Sequence, residues 1–267
     1  MIDYATGGPL TALSHPVAEQ LPHAVADLCR LAAGLVIQPA DARAQELPAS
    51  RFDENQLRPA SRIVDALLAV DPAELTVARP PARRVVGTCR HFAVLTCALL
   101  RHRGVPARAR CGFATYFQPG QGLDHWITEV RNAGGRWRRV DSEVLGGDLP
   151  VNAEDLAAGD FLTGGEAWVA YREGRIDATT FGVYGTENWG PAEIRGNAVR
   201  DLAALNRVEM LPWDEWGRMT ASYQGTTGAE YDALMDTVAA TCAADDPREL
   251  ARLYASEDLT VPAGLVR

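Results

Sequence analysis

Three residue types that can pass a proton between them stand in order along the middle of the chain: Cys89 in VGTCRHF, His125 in DHWITEV and Asp141 at the end of RWRRVD. A thiolate attacks carbonyl carbon. An imidazole within reach can take the thiol proton and return it to a leaving group, and a carboxylate can fix the imidazole tautomer and stabilise its cation. The chemistry such a trio supports is acyl transfer through a thioester. Plainer readings stand beside it. A lone cysteine in apolar surroundings usually serves as a small buried hydrophobe, which is the expectation for Cys29, Cys97, Cys111 and Cys242. Asp124 and Glu143 are alternatives to Asp141 as the carboxylate. His91 is two residues from Cys89, whereas helix neighbours on one face are three or four apart, so it is expected to pack or touch substrate rather than act as the base. Zinc is the rival owner of Cys89, His91, Cys97 and His125, but the short paired spacings of structural zinc sites are missing, and no metal or cofactor is expected.

These side chains need elements to hold them. CRHFAVLTCALLRHRG carries apolar residues at helical spacing, with Thr88 as N-cap and Gly104 as the stop. Cys89 then falls in the first turn, where free amide groups and the helix dipole favour a thiolate and supply donors for an oxyanion. VPARARCGFATYF is rich in strand formers. A Gly-rich turn follows, then a strand opened by His125, a second turn at NAGG and a third strand ending at Asp141. Adjacent antiparallel strands bring the His125 and Asp141 positions side by side.

The ordered run GTCRHFA, RGVPARARCGF, DHWITEV and RWRRVD resembles the transglutaminase-like core of the papain-like cysteine superfamily over roughly residues 85 to 145. The resemblance implies Cys89 as nucleophile, His125 as general base and acid, and Asp141 as the orienting carboxylate, ranked ahead of Asp124 and Glu143 by its place in the motif. It leaves the substrate open, since the superfamily spans crosslinkers, peptidases, amidases, amide-forming enzymes and inactive members. No resemblance to the extra β domains of the animal crosslinking enzymes accompanies it, so a calcium-dependent crosslinker is not expected.

Composition narrows the classes. A net charge of −9 from 26 basic and 35 acidic residues gives no footprint for a phosphate backbone, so no nucleic-acid partner is expected. All the basic residues are arginine, which removes Schiff-base chemistry, a phosphate-loop lysine and any intrachain lysine crosslink. No run approaches the roughly 18 apolar residues of a membrane span, and the start of the chain lacks signal-peptide character, so no membrane partner and a cytoplasmic location are expected. Five scattered cysteines suit free thiols in a reducing compartment.

The expected fold is a single α+β domain over residues 1–267. It has a papain-like, transglutaminase-like core at 85–148, a helical N-terminal elaboration at 1–84 and a C-terminal elaboration at 149–267 that shapes the cleft. Helical periodicity is read from Val17 to Val70, and a further helix is expected to start at Asn197. Arg195 and Arg200 are candidate clamps for a substrate carboxylate. The expected partner is a small-molecule, peptide or carrier-bound acyl substrate. A catalytically idle binding module and a structural zinc protein are the alternatives.

Overall fold

A computed structural model describes residues 2–13, 16–256 and 258–266. Helix α1, Val25–Ala33, buries Leu28, Cys29 and Ala32, and stops at Gly34. The helical reading fails just after it. Val36–Ile37 form strand β1, and the β-branched pair is buried in parallel register with β2, Val85–Val86. Helices α2, Pro39–Ala44, and α3, Ala60–Val70, complete the N-terminal zone, with the apolar face of α3 (Ile63, Val64, Leu67) turned inward. The β1–β2 pair positions the cysteine motif: Gly87 N–H donates to Ile37 O at 3.0 Å, which sets Gln38 beside the start of the next helix.

That helix is α4, Cys89–His102, capped by Thr88 in extended backbone and buried along nearly its whole length. Gly104 follows it at φ +71°, a conformation that glycine adopts without strain. The chain then runs antiparallel through β3, Ala107–Ala114, β4, Gly122–Arg131, and β5, Trp137–Val140. Register pairs Gly112 with His125 and Thr128 with Val140, so Asp141 leaves the end of β5 beside β4. His125 was expected to open its strand; β4 begins earlier, at Gly122, where the backbone pairs with β7, Phe181–Gly182. Strand β6, Phe161–Thr163, extends the sheet on the other side of β3, giving the order β5-β4-β3-β6. It approaches so closely that a Cβ on Gly112 would lie 2.0 Å from Leu162 O.

The remaining helices are α5, Gly164–Arg172, α6, Pro191–Leu205, α7, Met219–Tyr223, α8, Ala229–Ala244, and α9, Pro247–Tyr254. The helix expected from Asn197 starts six residues earlier, because Pro191 at its first position follows a positive-φ Gly190 and needs no amide donor. One apolar cluster joins α1, α3 and α4 to Ala107, Ala109, Cys111, Trp126 and Val130 of the sheet. A second joins α5, α6, α8 and α9 around Trp168, Ile194, Leu202 and Met235. The architecture is α+β, an antiparallel sheet with helices at both ends of the chain. Among the described residues no helix is long and apolar enough to cross a membrane.

Candidate active site

Cys89 sits in the first turn of α4, nearly buried. His91 belongs to the cap of the same helix: its Nδ1 accepts the Thr88 N–H at 3.1 Å, and burial, with Arg90 beside it, lowers its pKa to about 3. Neutral and turned toward its own helix end, it is a packing residue.

The structure brings the other three together. Cys89 Sγ, a ring nitrogen of His125 and a carboxylate oxygen of Glu143 lie within 4.8 Å of one another. His125 Nε2 is 2.8 Å from Asp141 Oδ2. An ionised carboxylate can only accept, so Nε2 carries the proton and Nδ1 is the nitrogen left for Cys89. Asp141 is buried and also accepts from the Tyr116 hydroxyl and from Glu143 N–H at 3.0 Å. The rings of Tyr116 and Phe117 stand edge-on to His125, with centroids 6.2 and 5.0 Å away. Of the two alternative carboxylates, Asp124 is bonded to Asn197 Nδ2 at 2.8 Å and Glu143 to Gln38 Nε2 at 2.7 Å.

The electrostatics follow from these partners. Burial opposes a charge on His125, but the charge and hydrogen bond of Asp141, together with Cys89, outweigh it and hold the imidazole well above its ordinary pKa. Burial likewise works against Asp141, yet His125 and Tyr116 keep it below the usual carboxylate range. Burial pushes the Cys89 thiol up to about 11 against the pull of its hydrogen bond to His125. The helix N-terminus is expected to favour the thiolate; burial opposes it, and the hydrogen bond and charge of His125 act with the helix end against that burial. Burial also raises Glu143, to about 7, with the charge of Asp141 adding to it.

Residues 71–142 match the family model of the transglutaminase-like superfamily, a span that opens before α4 and closes one residue past Asp141. The chain carries a transglutaminase-like core. The match supports a cysteine-dependent enzyme as the general class. No curated protein matches the chain. A solved structure of a candidate cysteine protease from Cytophaga hutchinsonii is similar at 17% identity over 60% of this chain, with a TM-score of 0.22. The match spans about half of that protein's length (51%), and the superposition is too loose to speak to fold or chemistry.

Around the transglutaminase-like core, a cleft of about 490 Å³ opens over Cys89 and His125. Gln38 from the N-terminal zone, Phe117 and Gln118 from the β3–β4 turn and exposed Tyr184 from the C-terminal zone form its walls, with Asp124 and Glu143 as its acidic groups. Arg195 and Arg200, expected as clamps, do not line it. Arg195 is paired with Asp232 at 2.8 Å, and buried Arg200 with Glu193 at 3.1 Å and Asn197 Oδ1 at 3.1 Å, so neither charge is available. The four residues weighed as zinc ligands are also split. Cys97 lies two turns along α4 with its thiol 4.0 Å from Thr128 Oγ1, and His91 caps the helix, which leaves Cys89 and His125 with Glu143. Sequence reasoning missed Gln38, Tyr116, Phe117 and Tyr184. The adjacent aromatics of TYFQPG, just past a strand end, were the one signal; Gln38 carries none, because a distant strand pairing delivers it.

Proposed function

We propose that this protein transfers acyl groups through a thioester on Cys89, with His125 as proton carrier and Asp141 as the group that orients it. Cys89 gives its proton to His125 Nδ1 and the thiolate attacks an amide carbonyl. The Cys89 and Arg90 amides at the start of α4 receive the oxyanion, since the His91 N–H already donates to Thr88 O at 2.8 Å. The imidazolium then protonates the departing amine, leaving the thioester, and His125 next takes a proton from water or an incoming amine as that nucleophile releases the acyl group. The observation that carries this reading is the 2.8 Å contact between His125 Nε2 and Asp141, which leaves Nδ1 for the thiol.

The cleft walls favour an uncharged carboxamide donor, a peptide or small-molecule amide, over an anionic coenzyme A thioester. Asp124, Glu143 and two glutamines line the cleft, no arginine among the described residues does, and a polyanion would meet carboxylates of its own sign. The flanking zones act in this reading as wall material around a catalytic core at 85–148, since Gln38 and Tyr184 come from either side of it.

Intact-mass spectrometry with peptide amides, carrier-bound thioesters and coenzyme A thioesters tests it. The expected result is an acyl adduct from an amide donor on wild type and none on Cys89→Ala, with added amine or water discharging it. No adduct from any donor, together with an ordinary Cys89 alkylation rate that His125→Ala leaves unchanged, would refute it.

A further inference from the structure

The same cleft contains a donor set that suits a metal ion, and one of its members has no task in the proposed acyl transfer. Cys89 Sγ, a His125 ring nitrogen and a Glu143 carboxylate oxygen lie within 4.8 Å of one another. Zinc holds sulfur, nitrogen and oxygen at about 2.0–2.3 Å, which places tetrahedral donors about 3.5 Å apart. Reaching that spacing asks for a closure of up to about 1.3 Å, and Glu143 is the least buried of the three.

Two of the three donors are already oriented from behind. Asp141 takes the Nε2–H of His125, which leaves Nδ1 unprotonated for a metal. Gln38 Nε2 donates to Glu143 Oε1 at 2.7 Å, while Oε2 of that carboxylate is buried with no hydrogen-bond partner among the described residues. A buried acceptor left unsatisfied beside a thiol and an imidazole calls for an occupant.

We propose that Cys89, His125 and Glu143 form an inhibitory zinc site that reversibly closes the active site. The Cys89 S–H bond breaks, its proton and the one that the imidazolium form of His125 carries on Nδ1 pass to solvent, and a sulfur–zinc bond forms with no change of oxidation state. Glu143 coordinates through Oε2, neutral His125 through Nδ1, and a water fills the fourth position. Thiolate and carboxylate together balance the dication, and sulfur with nitrogen selects zinc over magnesium or calcium. Metal then occupies both the nucleophile and its base.

The inference rests on the reading of Cys89 as the reactive thiol, and the test separates the two. Protein stripped with a chelator is labelled at Cys89 with iodoacetamide, with and without zinc, and cobalt is titrated in as a spectroscopic probe. Zinc should slow labelling at least ~10-fold, and chelator should restore it. Cobalt should give a sulfur-to-metal charge-transfer band and intense four-coordinate visible bands, and Cys89→Ser should abolish the first. Glu143→Gln, judged against its own metal-free rate, should need at least ~10-fold more zinc for the same protection. Equal protection in wild type and Glu143→Gln, or none in either, overturns the site while leaving the acyl-transfer reading intact. Cobalt bands in a protein that forms no acyl adduct without metal support the site and sink that reading. One equivalent of zinc that survives the chelator overturns inhibition and identifies a resident metal centre.

Discussion

Replacing Asp141 with asparagine keeps the shape of the site and reverses one hydrogen bond, so its effect can be worked out atom by atom. Asp141 Oδ2 accepts from both His125 Nε2 and the Tyr116 hydroxyl, and Oδ1 accepts from Glu143 N–H. An asparagine has one oxygen and one amide nitrogen to cover those two positions. With its oxygen at the Oδ2 position, His125 keeps its tautomer, but the amide nitrogen faces the Glu143 N–H, donor against donor, and the imidazolium loses its counter-charge. With the amide flipped, the Glu143 N–H is satisfied, and the nitrogen now donates to Nε2. The ring proton must then move to Nδ1, where it faces Cys89 and blocks acceptance of the thiol proton. The first arrangement forfeits a charge-assisted hydrogen bond, about 1.5–3 kcal/mol or roughly 10- to 100-fold in rate. The second removes general-base catalysis, bringing the total loss to about 10²–10⁴-fold. The assay is pseudo-first-order iodoacetamide labelling of Cys89 across the pH range, with Cys89→Ala as the blank and circular dichroism to establish that the variant folds. The Cys89→Ala blank measures labelling of the four other cysteines, none of which lines the cleft over His125. Labelling of a folded Asp141→Asn protein within ~3-fold of wild type at every pH would refute the assigned roles of His125 and Asp141.

Two further substitutions test the frame that carries the site. Glu129 is buried among Arg108, Arg110 and Arg139; burial opposes its charge, but these cations lower its pKa from 4.5 to about 2. A depressed carboxylate contributes stability above its unfolded value and loses it as pH falls through the folded one. Glu129→Gln should therefore cost about 3 kcal/mol in denaturant melts at neutral pH, with the difference from wild type shrinking toward roughly pH 3, and a pH-independent difference would contradict the ion-pair account. Gly112→Ala sets a Cβ 2.0 Å from Leu162 O and 2.7 Å from Thr163 Cα in the register position opposite His125. It should cost about 1–3 kcal/mol and slow Cys89 labelling together, and stability lost without any change in labelling would separate β6 from the site.

The helix–strand–strand–strand order was legible because each piece advertises itself locally: an N-cap and helical periodicity after Thr88, a glycine stop at 104, alternation around His125 and turns on either side. The grouping of Cys89, His125 and Asp141 followed from that order and a resemblance carried by four short motifs. What stayed hidden depends on contacts between distant segments. Val36–Ile37 continues an apolar helical pattern and becomes a strand only because Val85–Val86 is there to pair with it. Asn197, mid-helix on α6, looks like a helix start by residue type, yet its amide lies buried between Asp124 and Gly112 O. Arg200 reads as a free cation until Glu193 and Tyr223 are seen around it.

The two-residue pairing of β1 with β2 also sets an order of folding events. Helix α4 and the hairpins of β3, β4 and β5 are built from near neighbours in sequence and can assemble early. Closing β1 onto β2 requires segments about fifty residues apart to meet, and the closure is repaid by backbone hydrogen bonds and by burial of Val36, Ile37, Val85 and Val86. On loop length alone the segment carrying Gln38 is expected to dock after Cys89 and His125 have come side by side. In that order of events the Cys89 thiol stands uncovered until Gln38 closes the wall beside it.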